Sequence, residues 1–574
     1  MHRAVCGPIS HWESGMKQGR MSRARLAGVG LMLGALLAAC APDTDTGEAV
    51  GEGDEGAETV AGEPSGEPTH GGSITVALEA ETVGWAPWQD NWANSGNLVA
   101  NAFYDRIAGR DEEGQVRPGL AESITPNDDF TVYTVVLRDG IEFHDGEPLN
   151  AEAVAANIAK HREPGSTTSA AVAPIEEVVV EDDLTVRFEL DQPHVAFEDA
   201  FVGSAGVMVS PASIEDETAS REPVGTGPFV FESWQRDQEL RVSRNEDYWR
   251  EDMPYLDEIV FRPIPDEEAR LQSLFSDDVQ MMQSLRQSIV AQARDRADEF
   301  NLYEHLGNNA GGAIYNTARA PTDDVRVRRA IAHSINQDEI IEVLGGTGIT
   351  PPAHGLFTPE SPWYVDEIAD AWPGEDLDLA QEYYDDYADD PDRSDGKAAG
   401  EPIEFTVDTP PDPSLLETAA TYQSQLGRVG FDVDIRTVEQ AVHIQQAVGD
   451  PPDFIGDFDA KFWRLGSQAD PDWMVSWFSP GSPINFTNIE NQELVDALLE
   501  ARRTPDFEAR RDLYHEVMMI FADQVPFTLT GYTATVLAAH PGVFGVDDWT
   551  LPDGELGNGA SEAVIPWHSV WLDE

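Results

Sequence analysis

The chain has 574 residues, with 36 Lys+Arg against 106 Asp+Glu and a formal charge of −70. A surface of that sign repels polyanions and excludes the basic footprint of a nucleic-acid binder, while 41 % hydrophobic and 9 % aromatic residues exclude a disordered acidic chain. At roughly 100 to 200 residues per domain the length implies two to four lobes, and an acid-rich surface with only four lysines (Lys17, Lys160, Lys397, Lys461) suits high salt.

In chain order, Arg23 and Arg25 precede an uncharged apolar run from Leu26 to Ala39, and Cys40 follows directly. The run is shorter than the roughly 20 residues that span a bilayer and has the length of a signal-peptide core. Leu37-Ala38-Ala39-Cys40 resembles the bacterial lipobox, in which the cysteine sulfur receives a diacylglyceryl group. Residues 1–39 are therefore expected to be a signal peptide, translated from Met1, Met16 or Met21, with lipidation at Cys40. The alternative is an ordinary secretory signal with an incidental cysteine. Cys6 lies upstream of the cleavage point, so no disulfide or cysteine metal site is expected in the mature chain. Residues 40–70 combine the lipidated cysteine with an acidic, Gly-rich stretch expected to act as a flexible tether. Cleavage before Cys40 would leave 31 bases against 105 acids.

From Gly71 onward strand and helix patterns alternate. Ser73 to Leu78 reads as a strand with Ile74, Val76 and Leu78 on one face. Thr131 to Leu137, Val178 to Val180 and Leu184 to Leu190 read as antiparallel strands turning at Asp182-Asp183. Asn150 is placed to cap a helix over Ala151 to Lys160. Further on, Ile403 to Val407, Ser414 to Val429 and Phe431 to Ile435 read as strand, helix and strand, which implies a right-handed crossover and parallel pairing. Asp324 to Leu344, Gln492 to Arg503 and Asp506 to Asp523 supply further helices. The composite is an α/β body with a β-rich insertion.

Several strings then match one family. Gly119-Leu120-Ala121-Glu122-Ser123, Arg138-Asp139-Gly140, Phe143-His144-Asp145-Gly146 and Pro148-Leu149 resemble a stretch of the extracellular solute-binding proteins of family 5, the dipeptide, oligopeptide and nickel binders of ABC importers. Gly225-Thr226-Gly227-Pro228-Phe229 with Asn245-Glu246-Asp247-Tyr248-Trp249, and Asp323 to Ile331 after Asn316, are similar to its later signatures. The resemblance implies a periplasmic-binding-protein-like two-lobed clamp (type II) with an extra inserted β-rich lobe. It implies a first main lobe of residues 71–105, 223–307 and 533–574, an inserted lobe of 106–222 and a second main lobe of 308–532. Ligand would lie between the main lobes, favouring a closed form that a permease recognises.

Individual motifs carry competing readings. His144 and Asp145 admit catalysis or a metal, or a turn that closes a hairpin. Gly225-Thr226-Gly227-Pro228 lacks the Lys of a phosphate loop and reads as a hinge or crossover turn. His515-Glu516 lacks the second histidine of a zincin, since residue 519 is Met519. No catalytic residue, metal site or cofactor is expected.

In peptide-binding members the loop matching Phe462 to Trp473 often reads Gly-Asp and then Asp-Pro, the first aspartate pairing with the peptide ammonium. Here Ser467 follows Gly466 and only Asp470-Pro471 persists, which argues against free-amino-terminus dipeptides. Asp470 and Asp472 either substitute or cap the next helix. Arg464 pairs with a ligand carboxylate or neutralises the acidic surround. Trp85, Trp88, Trp92, Trp463 and Trp473 line an aromatic cleft or pack in cores. Asn94, Asn97 and Asn316 are polar candidates.

The expected protein is a monomeric lipoprotein on the outer face of the cell membrane, touching the membrane only through its lipid. Its partners are a small-molecule or peptide solute and ABC permease subunits with their ATPase, with no nucleic acid. The alternatives are a module feeding a signalling system and a secreted hydrolase.

Overall fold

The computed structural model describes residues 62, 64–90, 92–448, 454–466 and 470–573. Cys40, the apolar leader, most of the acidic stretch and Ser467 lie outside the described residues.

One ten-stranded sheet organises the chain. From one edge its strands are Asp432–Thr437, Glu404–Thr409, Ala460–Leu465, Asn301–Tyr315, Phe527–Ala539, Met281–Ser284, Ser73–Leu78, Glu258–Pro263, Glu239–Arg244 and Phe229–Gln235. The two long central strands join its halves. Ala310 to Tyr315 pairs with Leu465 to Ala460, whereas Val536 to Ala539 pairs with Ser284 to Met281. The register between the long strands shifts between Leu306 and Ala310 and again between Gly311 and Gly312. A Cβ on Gly312 would stand 2.2 Å from the Thr528 carbonyl oxygen, so the closest backbone approach requires glycine there.

Each half buries both faces of its sheet. Ile74, Val76 and Leu78 face one core with Phe103, Phe229, Phe261 and Trp567, while Ala77 faces another with Leu271, Leu274 and Met282. That is the alternation expected of the first strand. In the other half Ile314, Leu465 and Phe527 share one core and Tyr315, Phe405 and Phe462 share the opposite one. Glu404–Thr409 and Asp432–Thr437 pair in parallel around the helix Pro413–Val429, which ends on Gly430 at φ +113. The stretch from Asp324 to Leu344 forms two helices, Val325–Ser334 and Gln337–Val343, because Asn336 caps the second through the Glu339 N–H.

A separate four-stranded antiparallel sheet is built from Ala121–Pro126, Val132–Leu137, Thr185–Leu190 and Ile175–Val180. Its inward Tyr133, Val135, Val186 and Phe188 pack on Val154 and Ile158 of the helix Ala151–His161. Asn150 Oδ1 accepts from the Ala153 N–H at 2.9 Å, as its position predicts. The chain returns from this sheet through Gly225-Thr226-Gly227-Pro228. A Cβ on Gly225 would lie 2.1 Å from the Phe103 carbonyl oxygen and one on Gly227 2.5 Å from the Phe103 carbonyl carbon. His144 secures the crossing: its N–H donates to the Gly225 carbonyl and its Nε2 to the Gly227 carbonyl, both at 2.9 Å. Asp145 accepts from Ser210 Oγ. Both residues thus take the turn-and-anchor role.

Candidate ligand cleft

A cavity of about 870 Å³ opens where the antiparallel sheet domain meets both halves of the large sheet. Its size is that of a small-molecule or short-peptide site. The helix Asn94–Phe103 buries Leu98, Val99, Ala102 and Phe103 in the core and turns Asn94, Asn97 and Asn101 toward the cavity, a spacing that keeps three amides on one helical face. Trp473 and Trp477 come from the helix Trp473–Phe478, with ring centroids 5.3 Å apart at 83°. Trp92 and Trp549 add further aromatic wall.

Charges in the lining are mostly paired. Asp470 accepts a fork from Arg510 at 2.5 and 2.6 Å, and Asp472 one from Arg502 at 2.9 and 2.6 Å. Asp199 pairs with Arg110. His194 Nε2 lies 2.9 Å from Asp472 Oδ2, and the Val195 N–H donates to the Arg502 carbonyl at 2.9 Å. These contacts tie the antiparallel domain to the half of the sheet that carries Asp472. Burial pushes the Asp472 carboxyl up, but the hydrogen bonds and charges of His194 and Arg502 reverse this and hold it well below the usual carboxylate range. Across the same contact, burial pushes the Glu198 carboxyl up to about 7, with Asp470 adding to the rise against Arg110. Burial and Asp470 also raise Asp199.

Of the residues singled out in the sequence, Asn94, Asp470 and Trp473 line the cavity, as do Trp92, Asn97 and Asp472. Trp85, Trp88, Asn316, Trp463 and Arg464 lie elsewhere, and Ser467 is outside the described residues. Trp85 is buried in the first core against Phe103 and Trp234. Trp88 packs on its edge, 6.0 Å from His161. Asn316 is buried, donating to the Gly456 and Phe458 carbonyls at 2.9 and 3.1 Å. Trp463 stacks on His443 at 5.4 Å and 15°, and Arg464 is exposed on its strand. Asp472 precedes its helix without capping it, because both its oxygens serve Arg502 and His194. Sequence reasoning missed Arg106, Arg250, His194 and Arg502; none sits in a motif, and only the fold brings them to one cavity.

A sequence profile for bacterial extracellular solute-binding proteins of family 5 (middle) matches residues 115–486. The chain belongs to that family. It is 26 % identical over 506 residues to the glutathione-binding protein GsiB of Shigella boydii, a match covering 84 % of this chain and 92 % of the relative. Its fold is similar to the periplasmic binding protein DppA from Helicobacter pylori in complex with the peptide STSA, with TM-score 0.73 and 22 % identity over 88 % of this chain and 99 % of that one. It is also similar to the binding protein AgaA of A. tumefaciens R10 in complex with agropinic acid, with TM-score 0.74 and 23 % identity over the same shares of the two chains. This family 5 protein is thus an α/β, periplasmic-binding-protein-like clamp, of the class that binds peptides or similar solutes for ABC importers outside the cytoplasm. No helix among the described residues is long and apolar enough to cross a membrane.

Proposed function

We propose that this protein is the lipid-anchored receptor of an ABC import system, which captures a small, peptide-like organic solute in the cleft and delivers it to the permease without chemical change. The observation that carries this reading is the cavity of about 870 Å³ walled by both halves of the large sheet and by the antiparallel domain. A solute touching all three walls binds fully only when they are together, so binding favours closure. In this reading residues 71–105, 223–307 and 533–574 move as one lobe with the inserted 106–222, and residues 308–532 as the other. Residues 1–39 are the signal peptide, Cys40 carries the lipid, and the acidic, monomeric, high-salt-adapted body stays clear of headgroups. The small, polar and charged ligands named for GsiB, DppA and AgaA support a peptide-like or related solute.

Equilibrium dialysis against short peptides with free and with acetylated amino termini tests capture. One-to-one binding with the peptide recovered intact is expected, and hydrolysed peptide would contradict it. For the anchor, Cys40→Ala is expected to move the protein from the membrane fraction to the medium, and retention of the variant on membranes would contradict lipidation.

A further inference from the structure

Four guanidinium groups line the cavity: Arg106, Arg110, Arg250 and Arg502. Arg110 and Arg502 are ion-paired with Asp199 and Asp472. Arg106 and Arg250 have no carboxylate partner among the described residues, although acids outnumber bases in this chain by 106 to 36. Both are held by neutral acceptors. Arg106 donates from Nη1 to Asn101 Oδ1 and from Nη2 to Asn97 Oδ1 at 3.3 Å, and its buried Nε meets no acceptor. Arg250 donates to His568 Nε2 at 2.7 Å and to Thr550 Oγ1 at 3.4 Å. Burial and the charge of Arg250 hold His568 well below the usual imidazole range, so it is the neutral acceptor that this geometry needs.

Asp105 is the acidic group electrostatically felt by both arginines. Its carboxylate already accepts from Trp249 Nε1 at 2.9 Å, Tyr248 Oη at 3.1 Å and Thr226 Oγ1 at 3.1 Å. Burial lowers the Arg106 guanidinium to about 10, which still leaves it protonated at neutral pH. A desolvated cation without a contacting counter-charge is costly to hold unless a ligand supplies that charge.

We propose that Arg106 and Arg250, backed by Asn97, Asn101 and His568, form an anion-receiving subsite in the cleft wall, so that the captured solute carries a carboxylate or an equivalent oxyanion. This rests on the reading of the cleft as the solute site. Asn97 and Asn101 hold the Arg106 guanidinium through its two terminal nitrogens, and Trp473 and Trp477 of the same cavity lining would cover the apolar part of the same molecule. Planar, forked donors suit a planar carboxylate.

The test is calorimetric titration of the full-length protein with matched pairs: short peptides with free and with amidated C-termini, peptides containing Glu or Gln, and glutarate against glutaramide. The expected result is at least a tenfold preference for the carboxylate member, reduced severalfold or more in Arg106→Gln and in Arg250→Gln while affinity for the neutral member is unchanged. Thermal unfolding of the unliganded Arg106→Gln protein is expected at an unchanged or higher Tm, where a merely structural arginine would lower it. Arg106→Lys, which keeps the charge, is expected to retain part of the preference and guards against a variant that misfolds. Equal affinity for carboxylate and amide, or binding of neutral solutes alone, would overturn the subsite and leave solute capture standing. No binding by any compound would overturn both.

Discussion

Asp472 shows how a single side chain acquires its role from partners that are remote in sequence. Its place before a short helix suggested a cap, but Arg502 and His194 take both oxygens and bind two parts of the molecule to it. Asp472→Asn removes one member of a buried ion pair and is expected to cost about 3–5 kcal/mol, read as a lowered midpoint in denaturant unfolding; an unchanged midpoint would contradict the role given to the pair. The pH dependence has a definite sign. A carboxyl held below its unfolded value of about 3.9 contributes stability that is complete above that pH and is lost as the pH falls toward its folded value. The variant and the parent are therefore expected to converge only below about pH 4. Residue identity made Asp470, Asp472 and Trp473 visible as candidates. Nothing local separated Trp473, which opens a helix and lines the cavity, from Trp85, which sits in the loop between Ser73–Leu78 and Asn94–Phe103 and fills a core, because neither position fixes where its ring turns.

Elements defined by local chemistry were legible, and those defined by distant pairing were not. The Asn150 cap, the alternation in Ser73–Leu78 and the Gly430 stop are decided within a few residues. The long strand Asn301–Tyr315 contains Gly307, Asn308, Asn309, Gly311 and Gly312, residues that read as turns. It is nonetheless a strand, because its partner Phe527–Ala539 supplies the ladder from more than 200 residues away. The breaks in register at Leu306/Ala310 and Gly311/Gly312 stand where the two halves of the sheet meet, the place for a bend between them. Gly312→Ala brings a methyl group 2.2 Å from the Thr528 oxygen. It is expected to destabilise the protein by about 1–3 kcal/mol and to weaken solute binding through the distorted bend. A variant as stable as the parent would show that the two strands are not held as closely as described.

At the scale of the molecule, the charge of −70 and the cleft obey different rules. The outer face carries the excess of carboxylates, whereas the cavity wall is nearly balanced and holds two guanidiniums with no carboxylate contact among the described residues. Net charge therefore described solvent and membrane, and the proposed ligand chemistry rests on the fold, which brings Arg106 and Arg250 to one cavity. The central claim is that a solute is held between parts of one chain and stabilises their union. A thermal-shift screen of the full-length protein against peptides, oligosaccharides and metal chelates tests it most directly. At about 100 times Kd a ligand of the folded form adds about 2.7 kcal/mol, so the account predicts a saturable rise in Tm of a few degrees with small carboxylate-bearing, peptide-like solutes. A Tm unmoved by every class of solute, or a solute consumed during the measurement, would contradict it.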